Sequence, residues 1–160
     1  MPTPTRWIIV ASLVVLGGFI WRLSADTPTW RDLPPAGRSV VQHDSDVATR
    51  APGPHEGGGS TTGYLFFDKV ADSTIGFRKR VLHPGAAIGY HLHDGSEPGL
   101  GDEVYYIVSG RGELTLDGIR SEVGPGAAIL TRLGSSHGLR QIGHEDLVIV
   151  LAWPATSLRN

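Results

Sequence analysis

From Gly63 onward the chain runs in short stretches of alternating apolar and polar residues, each closed by turn-forming residues. A two-residue alternation over four to eight positions marks a half-buried β-strand. It predicts strands over Gly63–Lys69, Thr74–Leu82, Ala86–His93, Glu103–Ser109, Glu113–Leu116, Ile119–Val123, Ala127–Thr131, Ser136–Ile142 and Asp146–Trp153. Asp117-Gly118 is a favourable two-residue hairpin turn between two of them. No stretch has convincing helical spacing. Strands of this length and spacing predict an all-β sandwich or barrel. Leu147–Trp153 is apolar throughout, as in a strand covered on both faces. With Tyr64–Phe67 it supplies apolar surface for a core or for a homodimer.

Before Gly63 the pattern is different. Residues 26–62 read as a linker and an N-terminal arm, broken by Pro28, Pro34, Pro35, Pro52, Pro54 and Gly57-Gly58-Gly59. Ser39–Gln42 is the one place where an edge strand is expected. Residues 1–25 contain an uncharged 15-residue run, Trp7 to Trp21, between Arg6 and Arg22. At about 1.5 Å per residue a helix of that length covers roughly 22 Å, short of a ~30 Å hydrocarbon core. The length suits a signal peptide, with Leu23-Ser24-Ala25 as a mediocre cleavage site. The flanking tryptophans and arginines suit an uncleaved membrane anchor equally well. Either reading puts the rest of the chain outside the cytoplasm, periplasmic or secreted, with a membrane contact only through residues 7–21 if they are retained.

Composition narrows the function classes. The net charge of −2 leaves no basic patch for nucleic acid. The absence of cysteine excludes disulfides, thiolate metal sites, cysteine catalysis and a lipidated cysteine. Histidine is the residue type that remains informative. His91 and His93 lie two apart on an expected strand, so both imidazoles point to one face. Glu103 and His137, from other strands, complete a mixed nitrogen–oxygen metal site. Such a donor set takes one divalent transition metal, Mn, Fe, Co, Ni, Cu or Zn, without choosing among them.

Alternation also predicts the lining of that site. Gly89 faces inward with His91 and His93 and leaves room near the metal. Tyr105 and Ile107 follow Glu103, and Leu139 and Gln141 follow His137. Tyr105 and Gln141 are therefore the candidate catalytic or substrate contacts, set against simple filling of the barrel. Arg78 and Arg80 share one face of their strand and Lys79 takes the other. A solvated outer face is the expectation for this run, with an anionic substrate as the alternative. His43, His55, His83 and His144 read as solvated loop residues.

Two spaced motifs carry a family resemblance. Gly85 is followed after five residues by His91-Leu92-His93, then by Glu103 and, after six residues, by Gly110. Gly126 is followed after five residues by Arg132-Leu133-Gly134, then His137 and Gln141. The chain resembles the cupins over residues 63–153. It departs from their pattern in three places. Nine residues separate His93 from Glu103 where three or four are usual, Arg132 replaces a proline, and Gln141 replaces an asparagine. The long gap leaves Asp102 and Glu97 as rivals to Glu103. The resemblance implies a double-stranded β-helix, or jelly-roll barrel, over residues 63–155, and the apolar run Trp7–Trp21 adds the expectation of an N-terminal hydrophobic helix before it. It implies a small-molecule substrate or ligand and a reaction drawn from dioxygenation, decarboxylation, isomerisation and lyase chemistry. Oxygen-dependent chemistry leads, because isomerases and lyases need an acid–base pair beside the ligands and none is evident. The alternatives are a small-ligand-binding or sensing barrel without turnover, and a metal that only stabilises the fold.

Overall fold

Alternation is realised as ten antiparallel strands in a computed structural model that describes residues 39–70 and 73–155. The strands are β1 (Ala48–Pro52), β2 (Ser60–Phe66), β3 (Ile75–Leu82), β4 (Ala87–Leu92), β5 (Glu103–Ser109), β6 (Arg111–Leu116), β7 (Ile119–Val123), β8 (Ala128–Thr131), β9 (Ser136–Ile142) and β10 (Leu147–Pro154). One sheet has the order β1-β2-β3-β10-β5-β8 and the other β4-β9-β6-β7. The nine expected strands all form, with ends shifted by a few residues. The Asp117-Gly118 turn has positive φ at both positions, as a primed hairpin turn requires.

Two elements were not expected. A single helical turn, α1, spans Asp44–Val47, and β1 follows it. All five residues of β1 are exposed, so they carry no apolar alternation to read. Pro52 closes β1 at the edge of its sheet, where a missing N–H is tolerated. The edge strand expected at Ser39–Gln42 does not form; that stretch has no regular structure. The sheet therefore begins at Ala48, inside the stretch expected to be linker and arm. The expected N-terminal helix and the run Trp7–Trp21 lie outside the described residues. Among the described residues no helix is long and apolar enough to cross a membrane.

The core lies between the sheets. Strand β10 sits between β3 and β5 and alternates strictly, with Leu147, Ile149, Leu151 and Trp153 buried. Ile149 pairs with Arg80 on one side and Ile107 on the other. The opposite sheet contributes Ile88, Leu114 and Leu139. The apolar run of β10 thus reflects its central place in the larger sheet.

Ile149 has no exposed surface, whereas Ile119, on the hairpin of the smaller sheet, is 74% exposed. Replacing Ile149 with alanine leaves a cavity beside β3 and β5 and is expected to cost about 2–5 kcal/mol. Ile119→Ala is expected to cost less than about 0.5 kcal/mol. Urea unfolding of the two variants measures the contrast.

Candidate metal centre

Strands β4 and β9 pair antiparallel, and His91 lies directly opposite His137. His93 follows just beyond β4. The three imidazoles converge, with one ligand nitrogen from each lying within 4.8 Å of the others. His93 and His137 are buried and His91 is half-buried. Ring centroids lie 4.7 Å apart for His91–His137 and for His93–His137, and 5.1 Å apart for His91–His93.

The far side of each ring is tied down. His91 Nδ1 donates to Gly89 O at 2.9 Å, and His93 Nδ1 donates to Gly101 O at 2.6 Å. A carbonyl oxygen only accepts, so both rings carry their proton on Nδ1 and turn an Nε2 lone pair inward. His137 Nδ1 is held by the Thr131 hydroxyl at 2.6 Å. His93 Nε2 and His137 Nε2 are 3.2 Å apart. Two nitrogens bound to one metal at about 2.1 Å stand about 3 Å apart in neighbouring positions. Glu103 Oε2 is 3.7 Å from each of those two nitrogens. Three converging imidazole nitrogens and one carboxylate oxygen are a donor set that fits a transition metal, and the three histidines could hold one.

The electrostatics follow from burial. Burial, and then the charges of the neighbouring imidazoles, press His137 down to about 3. Burial also lowers His91, opposed by its bond to Gly89 O. Burial pushes the Glu103 carboxyl up to about 8, against the pull of the Tyr105 hydroxyl and of Arg78 and Arg80. Tyr105 is raised well above its ordinary value by burial and by Glu103, so its hydroxyl keeps its proton. That hydroxyl is 3.3 Å from His137 Nε2. Tyr105 therefore touches the site.

Gln141 does not serve the site. Its Oε1 accepts from Gly85 N at 2.7 Å, and its Nε2 donates to the carbonyls of Ile142, Gly143 and Glu145 at 3.1, 3.2 and 2.7 Å. Both ends of the amide pin backbone at the far end of β9, which corrects the expectation of a substrate contact. Of the rival acids, Asp102 turns away and accepts from Leu133 N at 2.9 Å, and Glu97 is exposed in the loop.

Gly89 also departs from expectation. The β4–β9 register slips between Ile88 and His91, so Ala86 and Ile88 face the core before the slip and His91 and His93 face it after. An extra residue in one strand changes the phase of alternation. Gly89 N donates to Pro54 O at 3.0 Å, and a Cβ at Gly89 would fall onto the His55 carbonyl oxygen. The space beside Gly89 is filled by the loop between β1 and β2.

That loop brings a histidine that reads from sequence as solvated. His55 stacks on His91 with ring centroids 3.6 Å apart and planes 8° from parallel. Burial, then His91 and His93, lower it to about 4. His55 and Glu56 both have positive φ, a conformation that sequence periodicity does not signal. The only sequence hint is Gly57-Gly58-Gly59, since close backbone approach selects glycine. His83 is likewise engaged, at 3.0 Å from Thr62 Oγ1 and 2.9 Å from Asp146 Oδ1.

The arginines reverse expectation too. Arg78 and Arg80 point inward and Lys79 points out, over the Tyr64 ring and paired with Asp44. Long stems let guanidinium groups reach polar sites inside a barrel that their charge would otherwise forbid.

Comparison with known proteins fits this geometry. Residues 79–153 match the family model described as the cupin domain. The oxalate-binding protein of Thermotoga maritima is 32% identical over 71 residues, covering 44% of this chain and 54% of that protein. The chain thus matches only about half the length of that relative. The crystal structure of a predicted oxalate decarboxylase from Thermotoga maritima superposes with a TM-score of 0.64 at 25% identity, covering 72% of this chain and 98% of that one. The polyketide cyclase RemF of Streptomyces resistomycificus has a TM-score of 0.59 at 24% identity, covering 75% and 82%. The last is a likeness of fold alone.

The His55 loop gives a test. Gly89→Ala is expected to push the loop off β4, lowering thermal stability and removing the ring-current shift of the His91 ring protons. His55→Leu is expected to remove that shift without the loss of stability. Histidine-ring NMR with thermal unfolding separates the two, and an unshifted His91 in the native protein would mean that the stack does not form.

Proposed function

Residues 79–153 match the cupin domain, and from that premise we propose that the chain holds one divalent transition metal on His91, His93, Glu103 and His137 and binds a small carboxylate there. The observation that carries the reading is the convergence of the imidazole nitrogens with their Nδ1 atoms anchored behind them. Ring anchoring of this kind fixes tautomer and aim before a cation arrives. When bound, such a metal supplies Lewis acidity, a template for carboxylate oxygens and, where redox-active, an electron partner. The relatives named for oxalate support a small carboxylate as ligand.

The protein's own groups favour turnover over storage. Tyr105 keeps its proton and places a hydroxyl beside His137 Nε2, where a bound carboxylate can accept from it. His55 and the β1–β2 loop shield His91 from solvent on one side. A hydrogen-bond donor in a partly dry site strengthens as charge develops on the ligand. We favour decomposition of the carboxylate at the metal, oxidative or decarboxylating, over simple binding. The apolar run Trp7–Trp21 supports a setting outside the cytoplasm.

Elemental analysis of the full chain from its native host is expected to give about one transition metal per chain. His137→Ala is expected to lose most of it. Full metal content in that variant would remove His137 from the ligand set. Supplying oxalate while following oxygen uptake and carbon dioxide release then separates the reactions. Carbon dioxide without oxygen uptake marks decarboxylation, coupled uptake marks oxidation, and neither marks a binding protein.

Metal loading has a proton signature. Without a cation the Glu103 carboxyl, held at about 8, is protonated near pH 7, while His137, held at about 3, is already neutral. Binding at pH 6–7 is therefore expected to release about one proton, from Glu103, and the release is expected to fade as pH rises through 8. Glu103→Gln is expected to abolish it. Calorimetry in buffers of different ionisation enthalpy counts the protons, and an unchanged count in Glu103→Gln would place the proton elsewhere.

A further inference from the structure

Strand β3 turns a row of Gly76, Arg78, Arg80 and Leu82 toward the interior. Arg80 is only 9% exposed. Its Nη1 donates to Thr61 Oγ1 at 3.0 Å, and the Thr61 hydroxyl in turn donates to Ala51 O at 3.1 Å. Gly63 lies across from Arg80 in the β2–β3 register, and a Cβ there would stand 3.7 and 3.8 Å from the two terminal guanidinium nitrogens. The guanidinium thus lies beside the Gly63 backbone, at a distance where a methyl would make ordinary contact.

Arg80 has five N–H donors and spends one on Thr61. Among the described residues no carboxylate comes within salt-bridge distance of it, although Arg78, next in the row, has Asp68 at 3.8 Å. The one sealed, unpartnered side-chain nitrogen or oxygen among the described residues is Arg78 Nε, so the spare donors of Arg80 are not walled in. A buried cation without a counter-ion is costly, and a like charge beside it raises the cost. Through Ile149 of β10, Arg80 is in register with Ile107, which shares the buried face of β5 with Tyr105 and Glu103, and its charge acts on both. Arg78 stands farther out, 4.9 Å from the Trp153 ring, in the wall of a cavity of about 280 Å³ that Phe66 and Pro98 also line.

We propose that Arg80 is the anion-binding residue of this site, and that its forked guanidinium holds one end of a small dicarboxylate dianion whose other end meets the bound metal. This deepens the reading given above and rests on it. Charge sets the ligand class. With a divalent cation present and Glu103 ionised, one positive charge is left at the metal, and Arg80 adds a second. A dianion neutralises both, whereas a monocarboxylate leaves the interior charged. A guanidinium suits the task because its parallel N–H groups match the two oxygens of a carboxylate. Thr61 fixes the group from behind, and the Gly63 backbone lies beside it.

The test compares the full-length native chain with Arg80→Gln and Arg80→Lys, each loaded with manganese(II) and titrated with oxalate, malonate, succinate and the neutral analogue oxamide. Glutamine keeps a donor for Thr61 and drops the charge; lysine keeps the charge and drops the fork. Manganese content is expected to be unchanged in both variants. The tightest dicarboxylate is expected to bind at least about tenfold more weakly to Arg80→Gln, a loss of about 1.4 kcal/mol or more, and to Arg80→Lys by a smaller factor. Oxamide is expected to show no difference. Equal dicarboxylate affinity in Arg80→Gln, or no dicarboxylate binding by the manganese-loaded native chain, overturns the proposal while leaving the metal site standing. If the native chain takes no manganese, the metal reading fails. Arg80 is then judged by whether oxalate raises the melting temperature of the cation-free native chain and not of Arg80→Gln; an equal rise in both overturns it. If Arg80→Gln does not fold, Arg80→Lys decides, and unchanged affinity there overturns it.

Discussion

Three imidazoles face one another inside this barrel because their outer nitrogens are already committed. Gly89 O and Gly101 O can only accept, so His91 and His93 present lone pairs to a common point, and Thr131 holds His137 against the same point. His93 Nε2 and His137 Nε2 stand 3.2 Å apart, the spacing of two neighbouring ligands on one metal. Desolvation keeps the rings from carrying a positive charge themselves, since it holds His137 down to about 3 and lowers His91. The acid beside them responds in the opposite sense, with Glu103 carrying its proton to about 8. With these rings neutral and the acid protonated, the cluster supplies no positive charge of its own and leaves that part to an external cation.

Backbone register is what creates this arrangement. His91 and His137 are direct partners in the β4–β9 ladder, and Glu103 and Thr131 are partners in the β5–β8 ladder of the other sheet. Each sheet thus delivers two of the groups, and the packing of one sheet on the other sets their separation. Cores of this density change little in shape, so the aim of the ligands is as rigid as the packing of Ile107, Leu139 and Ile149 beneath them.

How much of this the sequence reveals depends on which residues obey simple alternation. The strands from β2 to β10 follow from it, whereas β1, exposed along its whole length, does not. Glu103 and Tyr105 follow from it as well, and so do His91 and His93, though a register slip lies just before them. Gly89 fails because that slip changes the phase by one residue. Gln141 keeps the inward phase but sits too far along β9, where the turn at Gly85 claims its amide. Arg80 fails because charge normally outweighs position in such reading, while the hydroxyl of Thr61 gives its buried guanidinium a partner. His55 fails because a loop with positive φ at two successive non-glycine residues has no periodic signal at all.

The neighbours of His91 and Arg80 share a location. His55, Thr61 and Gly63 all precede residue 79, outside the segment that matches the cupin model. The matched segment carries the four groups proposed to bind the cation, along with Arg80. The preceding loop and strand carry what surrounds them: the ring stacked on His91, the hydroxyl that steadies Arg80, and the backbone beside which its guanidinium lies. A donor set of imidazoles and one carboxylate selects a metal but hardly distinguishes one small ligand from another. Discrimination between ligands of different charge and length comes from groups at a distance from a metal, and the group proposed for that task, Arg80, is steadied by Thr61 of β2. Fold likeness by itself therefore speaks to the cation, while on the reading proposed above the choice of ligand rests on Arg80 and on the groups of β1, β2 and their loop that surround it.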